Sequence, residues 1–399
     1  MRNALLCLVS VVVLSSAGLM ATTMQQPPAD KRAQARKLLE ENNFNDALQL
    51  YRELAVDSEN TGKAVPEDLG VAIAGLNNLG LVHEADELIE VSIEAHKTDF
   101  RLLARAAAAY AGEIESGGFV IAGKFERGGH RGGGQWASVA ARDRVRSLQL
   151  VLQAIALAEK DDNATAVERA DLWQTISNQI SSPRHGEAWK LQDLTDLATL
   201  PDFEISDGGM PYYGRGGRGM GRGIWPPGNT SKGAPVDKDG NPVFHHMPES
   251  WETAKSDGER WRWAMAQVVK HLEDRRSQID LDWAGFLQSQ FGVGASAVGG
   301  PPVIQITAKE EDADTAKPQD ATTWKAHELP DSETIAKLTT GVKRFALPEE
   351  FNHVTIFKAV IARDGSEKRQ ALESLIGERM NRHQYAQAAE LLREVLKLA

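Results

Sequence analysis

Three segments of the chain repeat one spacing: a large residue, a small alanine three places on, and a large residue one helical turn beyond. Phe44, Ala47 and Tyr51 carry it first, Val82, Ala85 and Ile89 second, and Tyr385, Ala388 and Leu392 third. With side chains recurring every three to four residues, such positions share one face of a helix. The alanine lets two helices approach closely, and the second large residue fills the groove between them. The spacing therefore predicts helix pairs. "ARKLLEENNFNDALQLYRELA" reads as two helices joined near Asn42 and Asn43. "GVAIAGLNNLGLVHEADELIEVSIEA" reads the same way, with Pro66 suited to a first helical turn and Gly80 to a helix end. "MNRHQYAQAAELLREVLKLA" supplies the third copy.

These segments resemble the second helix of a tetratricopeptide repeat, and Ala35 and Leu38 fit its first helix. Two features depart from that pattern. The first-helix tryptophan is missing, and Val82 follows Phe44 by more than the repeat's period of about 34 residues. A generic helical hairpin with ordinary amphipathic packing meets the same spacing. Both readings give an all-α fold of helical hairpins, of α-solenoid type, with glycine-rich loops and at most a small β-hairpin.

Helical patterning continues. "TDFRLLARAAAAYAGEI" starts at Thr98 and aligns Leu103, Ala107, Tyr110 and Ile114. A long helix is expected over "SVAARDRVRSLQLVLQAIALAEK". Thr165 with Glu168, and Ser256 with Glu259, have the spacing of capping boxes. After the second box, Trp261, Met265, Val268 and Leu272 form a core stripe. Glycine-rich insertions at 116–134 and 201–248 interrupt a helical domain over 29–291. Residues 292–324 read as a flexible, partly acidic linker, and 325–399 as a C-terminal helical piece with a repeat-like hairpin.

The N-terminus bears on location. "MRNALLCLVSVVVLSSAGLMA" has one basic residue, an apolar run from Ala4 to Leu14, then small residues, the pattern of a signal peptide over 1–21. Cleavage is expected after Ala17 or Ala21, and export to the periplasm, cell envelope or medium follows. The one cysteine, Cys7, lies in that run, so the mature chain has none. Disulfides, cysteine-ligated zinc and cysteine nucleophiles are excluded together.

Candidate chemistry thins out on inspection. The arginine–glycine stretch "PYYGRGGRGMGRGIWPPG" offers Arg215, Arg218 and Arg222, and the first insertion adds Arg127 and Arg131. Arginines among aromatic residues can grip nucleic acid. The net charge of −11 and the export signal argue against that, and favour solvated loops. Gly214 to Gly219 match G-x-G-x-x-G by letter, but no strand precedes them and Pro226 and Pro227 block a helix. "DKDGN", Asp237 to Asn241, has its glycine at the wrong place for a calcium loop and reads as a tight turn between Pro235–Val236 and Val243–Phe244. His245 and His246 are adjacent, so on a strand they point to opposite faces and do not chelate together. No cofactor or metal is expected, and no catalytic residue can be named. An envelope hydrolase ranks last among the alternatives.

Several runs in order, "GFVIAGKFERGGHRGGGQW", "EAWKLQDLTDLATLPDF", "APVDKDGNPVFHHMPESWETAKSDGERWRWAMAQ", "FLQSQFGV" and "TTGVKRFALPEEFNHVTIFK", resemble the helical N-terminal extension of bacterial alpha-2-macroglobulin-like proteins. The resemblance covers roughly residues 100–399, and "DGERWRW" and "VDKDGNPVF" are its most specific pieces. It implies a region of an exported protease trap. The family's thioester needs a Cys-x-x-Gln pair that this chain lacks, and its β-sandwich trap domains are also missing, so no functional residue carries over. The expectation is a non-catalytic scaffold for protein partners, including downstream domains of the same polypeptide. The alternatives are a stand-alone exported adaptor and the arginine–glycine nucleic-acid binder.

Overall fold

In the computed structural model the described residues are 26–129, 132–181, 188–205, 233–293 and 325–398. The signal-peptide segment, Arg131, the arginine–glycine stretch with Arg215, Arg218 and Arg222, and most of the expected linker lie outside them.

Sharp helix ends set the architecture. The pair α1 (Pro28–Glu40) and α2 (Phe44–Val56) is closed by Asn42 in the left-handed region, with Asn43 N–H bonded to Leu38 C=O at 2.8 Å. The pair α3 (Ala64–Leu79) and α4 (Ala85–Ala95) is closed by Gly80 at φ 72°, with Leu81 N–H bonded to Leu76 C=O at 2.8 Å. Near the end of the chain, α11 (Lys368–Asn381) and α12 (Tyr385–Lys397) are closed by His383 at φ 58°, with Gln384 N–H bonded to Arg379 C=O at 2.9 Å. Each is the same left-handed cap, in which an N–H reaches back five residues to satisfy a terminal carbonyl. Each cap precedes the first large residue of the repeated spacing by two positions, so the three copies share a turn as well as a pattern.

Between them run α5 (Phe100–Ala108), α6 (Ala140–Ala158), α7 (Ala166–Ile180), α8 (Asp257–His271), α9 (Arg276–Phe291) and α10 (His353–Ala362), making twelve α-helices among the described residues. The successive pairs α5–α6, α6–α7, α7–α8, α9–α10, α10–α11 and α11–α12 pack together. Helix α5 begins one residue later than expected: Asp99, not Thr98, accepts hydrogen bonds from the N–H groups of Arg101 and Leu102. Its chain then widens into a π-turn over Ala109–Glu113, with Gly112 at φ 156° inside it. The Thr165–Glu168 box closes in both directions. The second box closes in one: Ser256 accepts from Glu259 N–H, but the Glu259 carboxylate accepts from Lys255 N–H instead.

The β content exceeds the single small hairpin expected. The first glycine-rich insertion is a folded sheet, β1 (Gly117–Ile121), β2 (Lys124–Arg127) and β3 (Gln135–Ser138), extended by β4 (Glu204–Ile205) in the antiparallel order β2-β1-β3-β4. A separate hairpin, β5 (Glu333–Leu338) and β6 (Gly341–Ala346), stands in the segment read as a C-terminal helical piece. The second insertion is partly tied down. Ala234 bonds to Lys337 and Thr339, and Asp237 to Asn241 form the expected turn. The Asp237 carboxylate accepts from the N–H groups of Asp239 and Asn241.

One apolar core runs from Ala35 on α1 to Phe351 just before α10. Its centre is aromatic. Trp261 of α8 meets Trp283 and Phe286 of α9 edge-on, and donates its indole N–H to Ser177 of α7 at 3.0 Å. Phe351 stacks on Phe244, with ring centroids 4.5 Å apart. Six of the repeat positions, Ala35, Ala47, Tyr51, Ala85, Ile89 and Ala388, are buried; Leu38 and Val82 are half-buried. Phe44, Tyr385 and Leu392 depart from the packing expected of them, being 49%, 57% and 50% exposed. The turn places Phe44 and Tyr385 at the first positions of their helices, where both side chains are left exposed among the described residues.

Candidate functional site

The glycines around Arg127 suggested a solvated cation, and the structure overturns that. Arg127 is 3% exposed, because β2 feeds it under the sheet toward α4 and α6. Its Nη1 donates to Asp143 at 2.7 Å and to the Glu115 carbonyl at 2.6 Å. Its Nη2 donates to Asp86 at 2.7 Å and to Asp143 at 3.0 Å, and Nε donates to Asp86 at 3.4 Å. All five guanidinium N–H groups are engaged. Burial alone would lower its pKa, but the hydrogen bonds to Asp143 and the charge of Asp86 outweigh that and raise it. Arg142 adds a second cation beside Asp86 at 3.1 Å. This arginine locks a sheet to two helices and is unavailable to phosphate.

Next to this hub, the π-turn opens a cleft of about 460 Å³ lined by Tyr110, Glu115, Asp143, Arg144, Ser147 and Gln179. Its polar groups are nearly all committed. Tyr110 Oη donates to Glu90 at 3.0 Å; burial first, and the Glu90 charge second, push the phenol's pKa up. Ser147 Oγ donates to the Ala107 carbonyl at 2.6 Å and accepts from Gln179 at 2.9 Å. Arg144 donates to Thr195 and Asp257 at 2.8 and 3.2 Å. A serine whose proton is held by a backbone carbonyl has no base to activate it.

A second groove of about 460 Å³ lies between α9 and α11, with Glu378 at its base. Glu378, His353 and Arg382 are buried completely. Arg382 Nε donates to Glu378 at 2.7 Å, and His353 Nε2 lies 3.2 Å from the same oxygen, outside hydrogen-bond geometry. Burial would raise the Glu378 carboxyl, but His353 and Arg382 override it and bring it down to about 2. Arg382 also donates to the Pro330 carbonyl at 3.1 Å, tying α11 to the start of the β5–β6 hairpin. The triad has an acid, a base and a cation, but no solvent-facing atom, so it clamps elements together.

The two histidines lie in irregular chain rather than on a strand, and they still part. His245 is buried against Phe286, while His246 is exposed, with Nδ1 3.4 Å from Glu350. Burial first, then the nearby Arg262 charge, lowers His245 to about 4. Among the described residues no group of three or more histidine, cysteine or carboxylate side chains could hold a metal ion, and no helix is long and apolar enough to cross a membrane.

A further apolar surface belongs to α12, where Tyr385, Leu392 and Leu396 stand open on one face. Comparison of the chain with protein-family models, curated proteins and solved structures returns no match.

Proposed function

We propose that this chain is a non-catalytic helical scaffold, exported from the cell, that works through contacts with other proteins. The observation that carries the reading is the shared build of the three hairpins: a left-handed cap, then a buried alanine at the helix contact, at Ala47, Ala85 and Ala388. That is the construction of tetratricopeptide-type pairs, whose use is to present helical surface to peptides and domains. The committed hydroxyls of the cleft and the sealed His353–Glu378–Arg382 triad also support it, since neither offers an activated nucleophile or an accessible acid–base pair. Within this reading, the chain acts as the N-terminal helical region of an alpha-2-macroglobulin-like protease trap. The ordered runs resembling that region support the assignment.

Size and location of the native protein test it. Source cells are fractionated and probed with an antibody raised to this chain. A band far above 43.5 kDa in envelope or medium agrees with the trap. A band slightly below 43.5 kDa in those fractions leaves a processed adaptor and removes the trap. An unprocessed band retained in the cytoplasm overturns export.

A further inference from the structure

In the first hairpin, Leu48, Tyr51 and Ala55 of α2 are buried, where α2 packs between α1 and α3; Tyr51 is 4% exposed. Aligning Ala47 with Ala388 puts Ala389, Leu392 and Leu396 at those same three positions of α12. There Leu392 is 50% and Leu396 69% exposed. A face that is covered in one copy of the hairpin stands open in another. With Tyr385 it forms a stripe at 385, 389, 392 and 396, the alternating four- and three-residue step of a coiled-coil seam.

We infer that this seam is a homodimer interface, with α12 of one chain pairing antiparallel with α12 of a second copy. Pairing about a two-fold axis places Leu392 of each chain against Ala389 of the other, and Tyr385 against Leu396. Large meets small at the centre, where two alanines let the helices close, as Ala47 does inside the first hairpin. The charges agree. Arg393 flanks the stripe and Glu390 lies further round the same side; both are exposed and neither has an ionic partner among the described residues. The same axis brings Arg393 of each copy alongside Glu390 of the other, giving two equivalent ion pairs that an isolated chain does not form. An isologous interface requires this self-complementarity. The seam is one short helix per chain, at the small end of specific interfaces, so dissociation on the micromolar scale is expected. The inference goes beyond the scaffold reading and does not depend on it: a dimer that binds no partner would leave it intact.

Sedimentation equilibrium of the full chain tests it across concentrations from about a hundredfold below to a hundredfold above 1 μM. The weight-average mass is expected to climb from one chain of 43.5 kDa toward two. Leu392→Asp with Leu396→Asp should hold the mass at one chain throughout, with an unchanged far-ultraviolet spectrum, since both side chains are exposed. Glu390→Arg or Arg393→Glu alone should each weaken the dimer severalfold by setting like charges together. The double exchange E390R/R393E should restore it. A wild-type chain that stays monomeric at every concentration overturns the proposal. So does a dimer that survives the paired aspartates, or a double exchange that fails to rescue, either of which would move the contact to another surface.

Discussion

A guanidinium with five engaged N–H groups holds apart two carboxylates that would otherwise face one another. Replacing Arg127 with methionine keeps much of its volume but leaves buried Asp143 with only the longer contact from Arg142, at 3.4 Å. The expected loss is about 3–5 kcal/mol, read as a lower midpoint in denaturant unfolding. His245 makes the opposite kind of prediction. Its folded pKa of about 4 lies below the ordinary 6.5, so the unfolded chain binds the extra proton first. Stability is then full above pH 6.5 and falls as the pH drops toward 4, by a total on the order of 3 kcal/mol. In His245→Gln that slope should vanish between the two values in a pH series of thermal melts, and a wild-type curve flat across the window would refute it. Glu378 acts lower on the scale, losing its contribution only as the pH falls from 4.5 through about 2. Sequence reading missed Arg127 for a plain reason. Its partners lie 41 and 16 residues away, and glycines beside it look the same in a loop and in a sheet.

At the scale of elements, the helices were legible because their periodicity, caps and breaks lie within a few residues of each other. The strands were not. The β1–β2 hairpin turns on Ala122 and Gly123, both with positive φ, and alanine hides the Asn-Gly signal that usually marks such a turn. The β5–β6 hairpin turns through Thr339 and Thr340, which carry no turn signal at all. The sheet also explains part of the glycine bias. Gly128 has φ +87°, and a Cβ there would lie 2.3 Å from Val82 Cγ1, so the end of β2 docks directly on the turn between α3 and α4. Gly128→Ala should therefore lift the sheet off that turn and cost about 1–3 kcal/mol. Hydrogen exchange is the appropriate measurement: amides of β1 and β2 should lose protection before those of α7 and α8. Uniform loss across the chain would show that the sheet has no separate docking step.

Across the whole molecule, residues 325–398 are joined to the preceding helices through their side chains. Phe351 stacks on Phe244 and meets Trp283 at a ring distance of 6.2 Å, while Trp283 Nε1 donates to the Glu350 carbonyl at 3.3 Å. Leu347, Ala336 and Leu338 enter the same core as Trp261 and Trp173. None of this could be read from the string, where Phe244, Trp283 and Phe351 sit in three differently patterned segments separated by a glycine- and acid-rich run. Contacts between distant segments make unfolding cooperative, because breaking one exposes the others. Tryptophan fluorescence and far-ultraviolet circular dichroism should accordingly trace one coincident transition. Phe351→Ala, at a position 1% exposed, should remove about 3–5 kcal/mol and move both traces together. If the helical signal instead splits, with an early step carrying α10, α11 and α12 while the tryptophans near α8 stay buried, the C-terminal segment folds as its own unit. The Phe351 contacts would then be a docking surface between two bodies, and the variant would shift the early step alone.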